Sequence, residues 1–249
     1  MLTSTPWTSP TLDVFRSLSP DVVHVWRIHL DTTPVQAALY RTHLSEDERS
    51  RAERYRFPHH QYLFISTRGI LRRLLSHYVG IPPAALRLEN NIQGKPTMIE
   101  ASSPSIQFNV SHTDGMALLA FTVENAVGID VEKRDRTLPD QDIAARYFSL
   151  REAAYLATLS PDKRMQEFLS YWTCKEAYLK MRGMGLSGGM AQCEITLDAD
   201  GLKATVLSRN EPTRENDCSL IRINPGQSHI GALAVACPSV EVLFWDWKD

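Results

Sequence analysis

The stretch V-G-I-D-V-E-K, from Val127 to Lys133, decides how the second half of this chain folds and where its chemistry lies. An apolar approach followed by an Asp-Val-Glu triplet is typical of a short buried strand that ends in two carboxylates. Side chains alternate between the faces of a strand, so Asp130 and Glu132 share one face and Val131 points to the other. Two neighbouring carboxylates repel each other, and a cation or a shared proton offsets the repulsion.

A divalent metal ion is the natural cation for such a pair. Magnesium prefers oxygen ligands and is commonly held by one or two carboxylates together with phosphate groups. We therefore predict a magnesium site, with manganese as the alternative ion. In the competing interpretation the strand runs into a solvated turn, where Lys133 and Arg134 neutralise the two acids.

A long helix is predicted from Met165 to Met181, because apolar residues recur there at mostly helical spacing. Glu176 and Lys180 are four residues apart and share a face of this helix. They are either a surface ion pair or a third acidic ligand beside a cation that binds phosphate. The helix alone does not decide between these two interpretations.

Five motifs then occur in a fixed order, and together they resemble one known family. The motifs are G-K-P (Gly94–Pro96), F-N-V-S-H (Phe108–His112), G-I-D-V-E-K (Gly128–Lys133), F-S-x-x-E (Phe148–Glu152) and W-T-x-K-E-A-x-x-K (Trp172–Lys180). This order resembles the 4'-phosphopantetheinyl transferases of the double-length, surfactin-synthetase-activating (Sfp) type. The resemblance implies transfer of the phosphopantetheine arm of coenzyme A to a serine of an apo carrier protein, with release of adenosine 3',5'-bisphosphate.

The same resemblance implies site residues. Magnesium would be bound by Asp130, Glu132 and Glu176, and Glu176 would also be the general base, directly or through a metal-bound water. Lys180 would take part in catalysis and bind phosphate. The residues that contact coenzyme A would be Arg68, Lys95, Ser111, His112 and Lys180.

Several of these residues also have a plainer interpretation. Lys95 reads as an exposed turn lysine and His112 as a satisfied, partly buried histidine. Arg68 and Arg72 share a helix face that is either solvated or anion-binding. A Ser111-His112 hydrolase pair is disfavoured, because adjacent residues of a strand face opposite ways.

A strand, a capped helix, a long helix and a glycine occur twice, roughly a hundred residues apart. The chain should therefore have a mixed α+β fold of two similar lobes related by a pseudo-two-fold axis. Each lobe would have an antiparallel sheet and a long helix, and the family's architecture implies coenzyme A in the cleft between them. The expected divisions are an irregular arm over residues 1–20, an N-terminal lobe over 21–124 and a C-terminal lobe over 125–249.

Local signals give further boundaries. Ser45 and Glu48 predict a capping box. Pro58 should interrupt the chain ahead of a helix over Gln61–Val79. A glycine-rich loop is expected from Met184 to Met190, and all apolar segments after Cys193 should form one terminal sheet.

Composition limits the class of protein and its partners. The 249 residues are 43% hydrophobic and 22% charged, with a net charge of -2, which indicates a globular protein without a nucleic-acid footprint. The N-terminus lacks the features of a signal peptide, and no apolar run is long enough to span a bilayer. We expect a cytoplasmic monomer that serves acyl, peptidyl or polyketide carrier proteins and binds neither nucleic acid nor membrane.

Three alternatives remain at this point. The chain could be a non-catalytic module that binds coenzyme A or a carrier protein. It could be a different magnesium-dependent phosphotransferase or nuclease with the same acidic cluster. Nucleic-acid binding through the arginines between Arg49 and Arg73 is the third, and it predicts steeply salt-dependent affinity.

Overall fold

The computed structural model describes residues 6–99, 105–135, 140–184, 189–197, 203–208 and 218–248. The first half contains β1 (Val22–His29), α1 (Pro34–His43), α2 (Glu46–Glu53), α3 (Pro58–Val79), β2 (Leu88–Asn90), β3 (Pro96–Met98), β4 (Ile106–Thr113) and β5 (Met116–Val123). The second half contains β6 (Val127–Lys133), α4 (Asp140–Tyr147), α5 (Leu150–Ala157), α6 (Pro161–Met181), β7 (Cys193–Leu197), β8 (Lys203–Ser208), β9 (Ser219–Ile223), β10 (His229–Val235) and β11 (Glu241–Asp246).

The order of elements repeats between the halves. Each has a strand, three helices, a 3-10 turn and four further strands, and the second half adds a fifth, β11; the two turns are Pro83–Ala85 and Met190–Gln192. The first strand of each half pairs antiparallel with the fourth strand after the turn, β1 with β5 and β6 with β10, and these two strands also pair with β4 and β9. The mixed α/β class is thus confirmed, while the pseudo-two-fold relation and the lobe boundaries remain predictions.

The last strand, β11, lies in a different sheet from the other strands of the second half. β11 pairs in parallel with β1, so the first sheet has the order β11-β1-β5-β4 and the second the order β6-β10-β9-β8-β7. The prediction of a single terminal sheet was therefore wrong for β11. Arg27 on β1 binds both carboxylate oxygens of Asp246, at 2.7 and 2.8 Å, and donates to the carbonyl of Pro225 at 2.6 Å. This bidentate pair fixes β11 against the first sheet.

Helix starts follow the local sequence signals. The hydroxyl of Ser45 accepts from the N–H of Glu48, whose carboxylate accepts from the N–H of Ser45. Ser149 and Glu152 form the same capping box at the start of α5. Pro58 does not interrupt the chain as predicted. It opens α3, because the first turn of a helix requires no N–H from that position.

The glycine-rich loop predicted between Met184 and Met190 falls largely on residues 185–188, which lie outside the described residues. Nothing among the described helices has both the length and the apolar character needed to cross a membrane.

A buried ion cluster lies behind the capping box of the first half. Glu48 accepts from Arg72 at 2.6 Å and also from Arg68. Arg72 donates in addition to the carbonyls of Pro83, at 2.7 Å, and Leu86, at 3.0 Å. The cluster therefore ties α2 and the 3-10 turn to the long helix α3.

The second half repeats this arrangement with a lysine. Lys175 on α6 lies 2.8 Å from the carboxylate of Glu152 and donates to the carbonyls of Met190 and Cys193. Glu152 also accepts from the N–H of Ile195 at 2.7 Å. The correspondence between the halves thus extends from the order of elements to the partners of individual buried side chains.

His24 lies in the core of the first half as a neutral ring. The hydroxyl of Ser17 donates to the carbonyl of Val14 at 2.8 Å, so it accepts from Nε2 of His24 at 3.3 Å. Nδ1 of the neutral ring then accepts from the hydroxyl of Tyr78 at 2.8 Å, and that hydroxyl accepts from the indole N–H of Trp26 at 2.9 Å. Burial lowers the pKa of His24 to about 4.

This shift makes stability depend on pH. The folded protein keeps His24 neutral, whereas in the unfolded chain it takes up a proton below its ordinary pKa of 6.5. The contribution of His24 to the free energy of unfolding is therefore fully present above pH 6.5. It is lost progressively between pH 6.5 and 4, and the loss is about 2 kcal/mol at pH 5. The free energy of unfolding, measured with urea, should fall more steeply with decreasing pH for the wild type than for His24→Gln. Equal slopes for the two proteins would contradict the prediction.

Candidate active site

The site lies where the edge strands of the two sheets meet, β4 from the first and β6 from the second. An edge strand leaves backbone N–H and C=O groups unpaired by its own sheet. Here side chains of β4 bind the N–H groups of β6. Asn109 accepts from Ile129 at 2.8 Å, and the hydroxyl of Ser111 accepts from Val131 at 3.3 Å.

Two lysines bind the outward-facing carbonyls of the same edge. Lys95 donates to the carbonyl of Val127 at 2.8 Å, and Lys180 donates to that of Ile129 at 3.2 Å. Side chains from β4, α6 and the turn before β3 thus take the place of a neighbouring strand along β6. Any functional group on this strand is therefore fixed in position.

Helix α6 crosses β6 in direct contact. A Cβ atom on Gly128 would collide with the backbone of Ala177 and Met181, so only glycine allows this close approach. The opposite face of β6 packs Val127, Ile129 and Val131 into an apolar cluster between the sheets. The predicted alternation is confirmed, since Asp130 lies on the face that α6 covers.

A polar centre forms between Asp130, Ser111 and Lys180. The ammonium of Lys180 lies 2.7 Å from Oδ1 of Asp130 and 3.0 Å from the hydroxyl of Ser111. That hydroxyl donates to the same carboxylate oxygen at 2.8 Å. The Asp130 side chain is only 6% exposed, whereas that of Lys180 is 27% exposed and borders solvent.

The neighbouring carboxylates carry an unbalanced charge. Oδ2 of Asp130 and Oε1 of Glu176 are buried, and neither has a hydrogen-bond partner among the residues that the structure describes. Burial, followed by the charge of Asp130, raises the pKa of Glu176 to about 7; Lys180 opposes this rise and Glu132 adds to it. Asp130, Glu132, Glu176 and Lys180 therefore form one electrostatic cluster.

The residue types in this cluster suit a cation, but their side chains are not arranged as a complete ion-binding site. Within the described ranges, no group of three or more acidic, histidine or cysteine side chains is arranged to hold a metal ion. The ammonium of Lys180 already occupies one oxygen of Asp130. The unpartnered oxygens of Asp130 and Glu176 fit a further cation.

The other residues predicted to contact coenzyme A have different surroundings. Lys95 is bound to backbone carbonyls, and burial, followed by the charge of Lys180, lowers its pKa to about 8. His112 is exposed on the face of β4 opposite to Ser111, and desolvation and the charge of Lys180 lower its pKa. Arg68 is bound to Glu48 in the ion cluster of the first half. A phosphate contact for Arg68 stays a prediction.

Asn109 is the site residue that the sequence analysis missed. Its side chain is buried, and it lies two positions before Ser111, on the same face of β4. The signal was present in the alternation of the F-N-V-S-H motif, which places Asn109 and Ser111 together.

Comparison with known proteins supplies an independent line of information. Residues 126–233 match the 4'-phosphopantetheinyl transferase superfamily, and residues 31–124 match the N-terminal part of 4'-phosphopantetheinyl transferases. The 4'-phosphopantetheinyl transferase HetI of Nostoc sp. is 34% identical over 235 residues, which cover 93% of this chain and 94% of that protein. The 4'-phosphopantetheinyl transferase Sfp of Bacillus subtilis is 27% identical over 159 residues, covering 64% of this chain and 68% of that protein.

Proposed function

This chain belongs to the 4'-phosphopantetheinyl transferase superfamily, and from that premise we propose how its carboxylate cluster serves the transfer. The enzyme moves the 4'-phosphopantetheine group of coenzyme A to a serine of an apo carrier protein. The serine oxygen forms a bond to phosphorus, the bond from phosphorus to adenosine 3',5'-bisphosphate breaks, and the serine proton passes to a base.

Asp130, Glu132 and Glu176 would hold the magnesium ion, or manganese in its place. The observation that supports this most strongly is the pair of buried, unpartnered oxygens on Asp130 and Glu176, because a bound cation would satisfy both. Magnesium held by these residues would supply the positive charge that neutralises phosphate oxygens of coenzyme A and offsets the charge developing during transfer.

Glu176 would accept the serine proton. Without a metal ion the pKa of Glu176 is raised to about 7, and a cation held beside it would favour the ionised form, which can accept a proton. The base also needs a fixed position. Because α6 lies directly on β6 at Gly128, the backbone of Glu176 is held beside Asp130.

Lys180 would bind phosphate oxygens of coenzyme A. Its ammonium is partly exposed and is oriented by Ser111 and Asp130, so it can face an anion at the edge of the cluster. His112 would donate a further hydrogen bond to phosphate from the exposed face of β4. Both act by electrostatic stabilisation of charge on the substrate.

The partners of the reaction would be coenzyme A and apo acyl, peptidyl or polyketide carrier proteins. A monomer would suffice, because one chain supplies β4, β6 and α6 to the site. The elution volume and scattering mass of the purified chain would test this state directly.

The test of the function is the intact mass of an apo acyl carrier protein after incubation with this protein, coenzyme A and magnesium. We expect a gain of one phosphopantetheine unit, and no gain in a parallel sample with EDTA that regains activity when magnesium is restored. Apo peptidyl and polyketide carriers should be included, so that the result does not depend on the choice of carrier.

Two outcomes would contradict the proposal. If coenzyme A binds measurably but none of the three carriers gains mass, a non-catalytic binding module would be favoured. A full mass gain in the presence of EDTA would remove the metal from the proposal while leaving the transfer in place.

A further inference from the structure

Lys95 is held in a way that differs from the phosphate contact expected from its motif. Its ammonium donates to the carbonyl of Val127 on β6, at 2.8 Å, and to the carbonyl of Lys180 on α6, at 3.0 Å. One side chain therefore joins the first residue of β6 to the last turn of α6. These are the two elements that carry the carboxylate cluster.

The turn that presents Lys95 is itself fixed. Asn91 accepts through its side-chain oxygen from the N–H groups of Gln93 and Lys95, both at 2.9 Å, and its own N–H donates to the carbonyl of Lys95. Gly94 takes the left-handed conformation that closes this turn, with φ 82°. Lys95 is thus presented by a rigid support.

The end of α6 benefits electrostatically from this contact. The last carbonyls of a helix carry partial negative charge and lack intrahelical partners, so a cation is favourable there. The carbonyl of Lys180 accepts from Lys95 and from the N–H of Gly183, at 3.2 Å. Lys180 is consequently held at its backbone by Lys95 and at its side chain by Ser111 and Asp130.

We infer that Lys95 is a positioning residue that acts through Lys180, and not a ligand of the substrate phosphates. It fixes the last turn of α6 on β6, so that the ammonium of Lys180 reaches the cluster. The inference rests on the proposed function of the site, because its kinetic test measures transfer. The contact itself can be tested without any substrate.

Two binding modes for Lys95 predict different kinetics. A phosphate ligand would contribute to the affinity for coenzyme A, and its loss would raise KM. A residue that positions Lys180 would instead mainly lower kcat, because the ammonium of Lys180 would act most strongly on the charge that develops on the phosphate during transfer, and a small misplacement of such a group costs up to about a hundredfold in rate. The amine can donate to both carbonyls with or without its charge, so positioning does not require a permanent cation.

The experiment compares Lys95→Met, Lys95→Arg, Lys180→Met and the double variant Lys95→Met/Lys180→Met with the wild type. Lys163→Met is the matched control, since Lys163 is exposed at the other end of α6. We expect Lys95→Met to lower kcat by about ten- to a hundredfold with KM for coenzyme A within about threefold. Lys95→Arg should recover part of the rate, and the double variant should be no slower than Lys180→Met alone.

Hydrogen–deuterium exchange without coenzyme A supplies the second measurement. The amides of the last turn of α6 should exchange faster in Lys95→Met and at the wild-type rate in Lys163→Met. If Lys95→Met is unstable, this exchange and the kinetics of Lys95→Arg decide the question.

A raised KM with unchanged kcat, additive losses in the double variant, or unchanged exchange would each overturn the inference. If the wild type fails to transfer phosphopantetheine at all, the proposed function fails, and the exchange experiment still tests the contact of Lys95 by itself.

Discussion

Asp130→Asn and Glu176→Gln should each lower the rate of phosphopantetheine transfer by at least about a hundredfold while the protein stays folded. Both changes keep the shape of the side chain and remove its negative charge. The proposed cation site would then retain too little charge to bind magnesium. The loss should appear in kcat as well as in the magnesium concentration required for activity.

The fold should tolerate these changes because the carboxylates do not hold the core together. An asparagine at position 130 can still accept from Ser111 and Lys180 through its amide oxygen. Glutamine at position 176 would relieve the burial of a charge whose pKa is already raised to about 7. Thermal midpoints within a few degrees of the wild type are therefore expected.

The measurement combines transfer assays with a titration of manganese followed by electron paramagnetic resonance. Asp135→Asn is the control, because Asp135 is an exposed acid just beyond β6 that pairs with Lys133 outside the cluster. It should bind manganese and turn over like the wild type. Normal activity of Asp130→Asn at the magnesium concentration that half-saturates the wild type would refute the metal assignment.

Much of the frame around these carboxylates could be predicted from the sequence, because it depends on local patterns. The alternation of apolar and acidic residues placed Asp130 on one face of β6 and Val131 on the other. The spacing of apolar residues predicted α6, and Ser45 with Glu48 predicted the start of α2. Such features depend on neighbours only a few residues away, which a sequence displays directly.

The partners of charged side chains could not be predicted in the same way. Arg68 binds Glu48, and Lys95 binds carbonyls of two elements that lie far along the chain. Nothing in a local pattern distinguishes a lysine that meets phosphate from one that meets a carbonyl. The position of β11 beside β1 is another long-range choice, made by strand pairing and by Arg27 with Asp246.

A comparison of the two halves separates features that both halves share from features that occur in one half and belong to the proposed site. Both halves keep a capping-box glutamate bound to a cation on the long helix, Glu48 with Arg72 and Glu152 with Lys175. Only the second half places carboxylates on its first strand and a lysine at the end of its long helix. The shared ion clusters therefore belong to the scaffold, and their energetic role can be tested separately.

Glu152→Gln should destabilise the protein by about 3–5 kcal/mol, because it leaves the charge of Lys175 buried without a counter-ion. The side chain of Lys175 is fully buried and that of Glu152 is 2% exposed. Water cannot compensate for the lost carboxylate. The double variant Glu152→Gln/Lys175→Met should recover much of this loss, since it removes both charges together.

Urea unfolding of the wild type, the two single variants and the double variant would give the free energy of coupling between the two residues. Glu53→Gln provides the control, because Glu53 pairs with Arg41 at 2.6 Å on the surface, with exposures of 61% and 39%. That change should cost less than about 1 kcal/mol. If Glu152→Gln costs no more than Glu53→Gln, the buried pair does not anchor α6.

Lys175 and Glu176 are adjacent on α6, so the anchor and the proposed base lie on one helix. A destabilised anchor should for that reason reduce transfer before the protein unfolds globally.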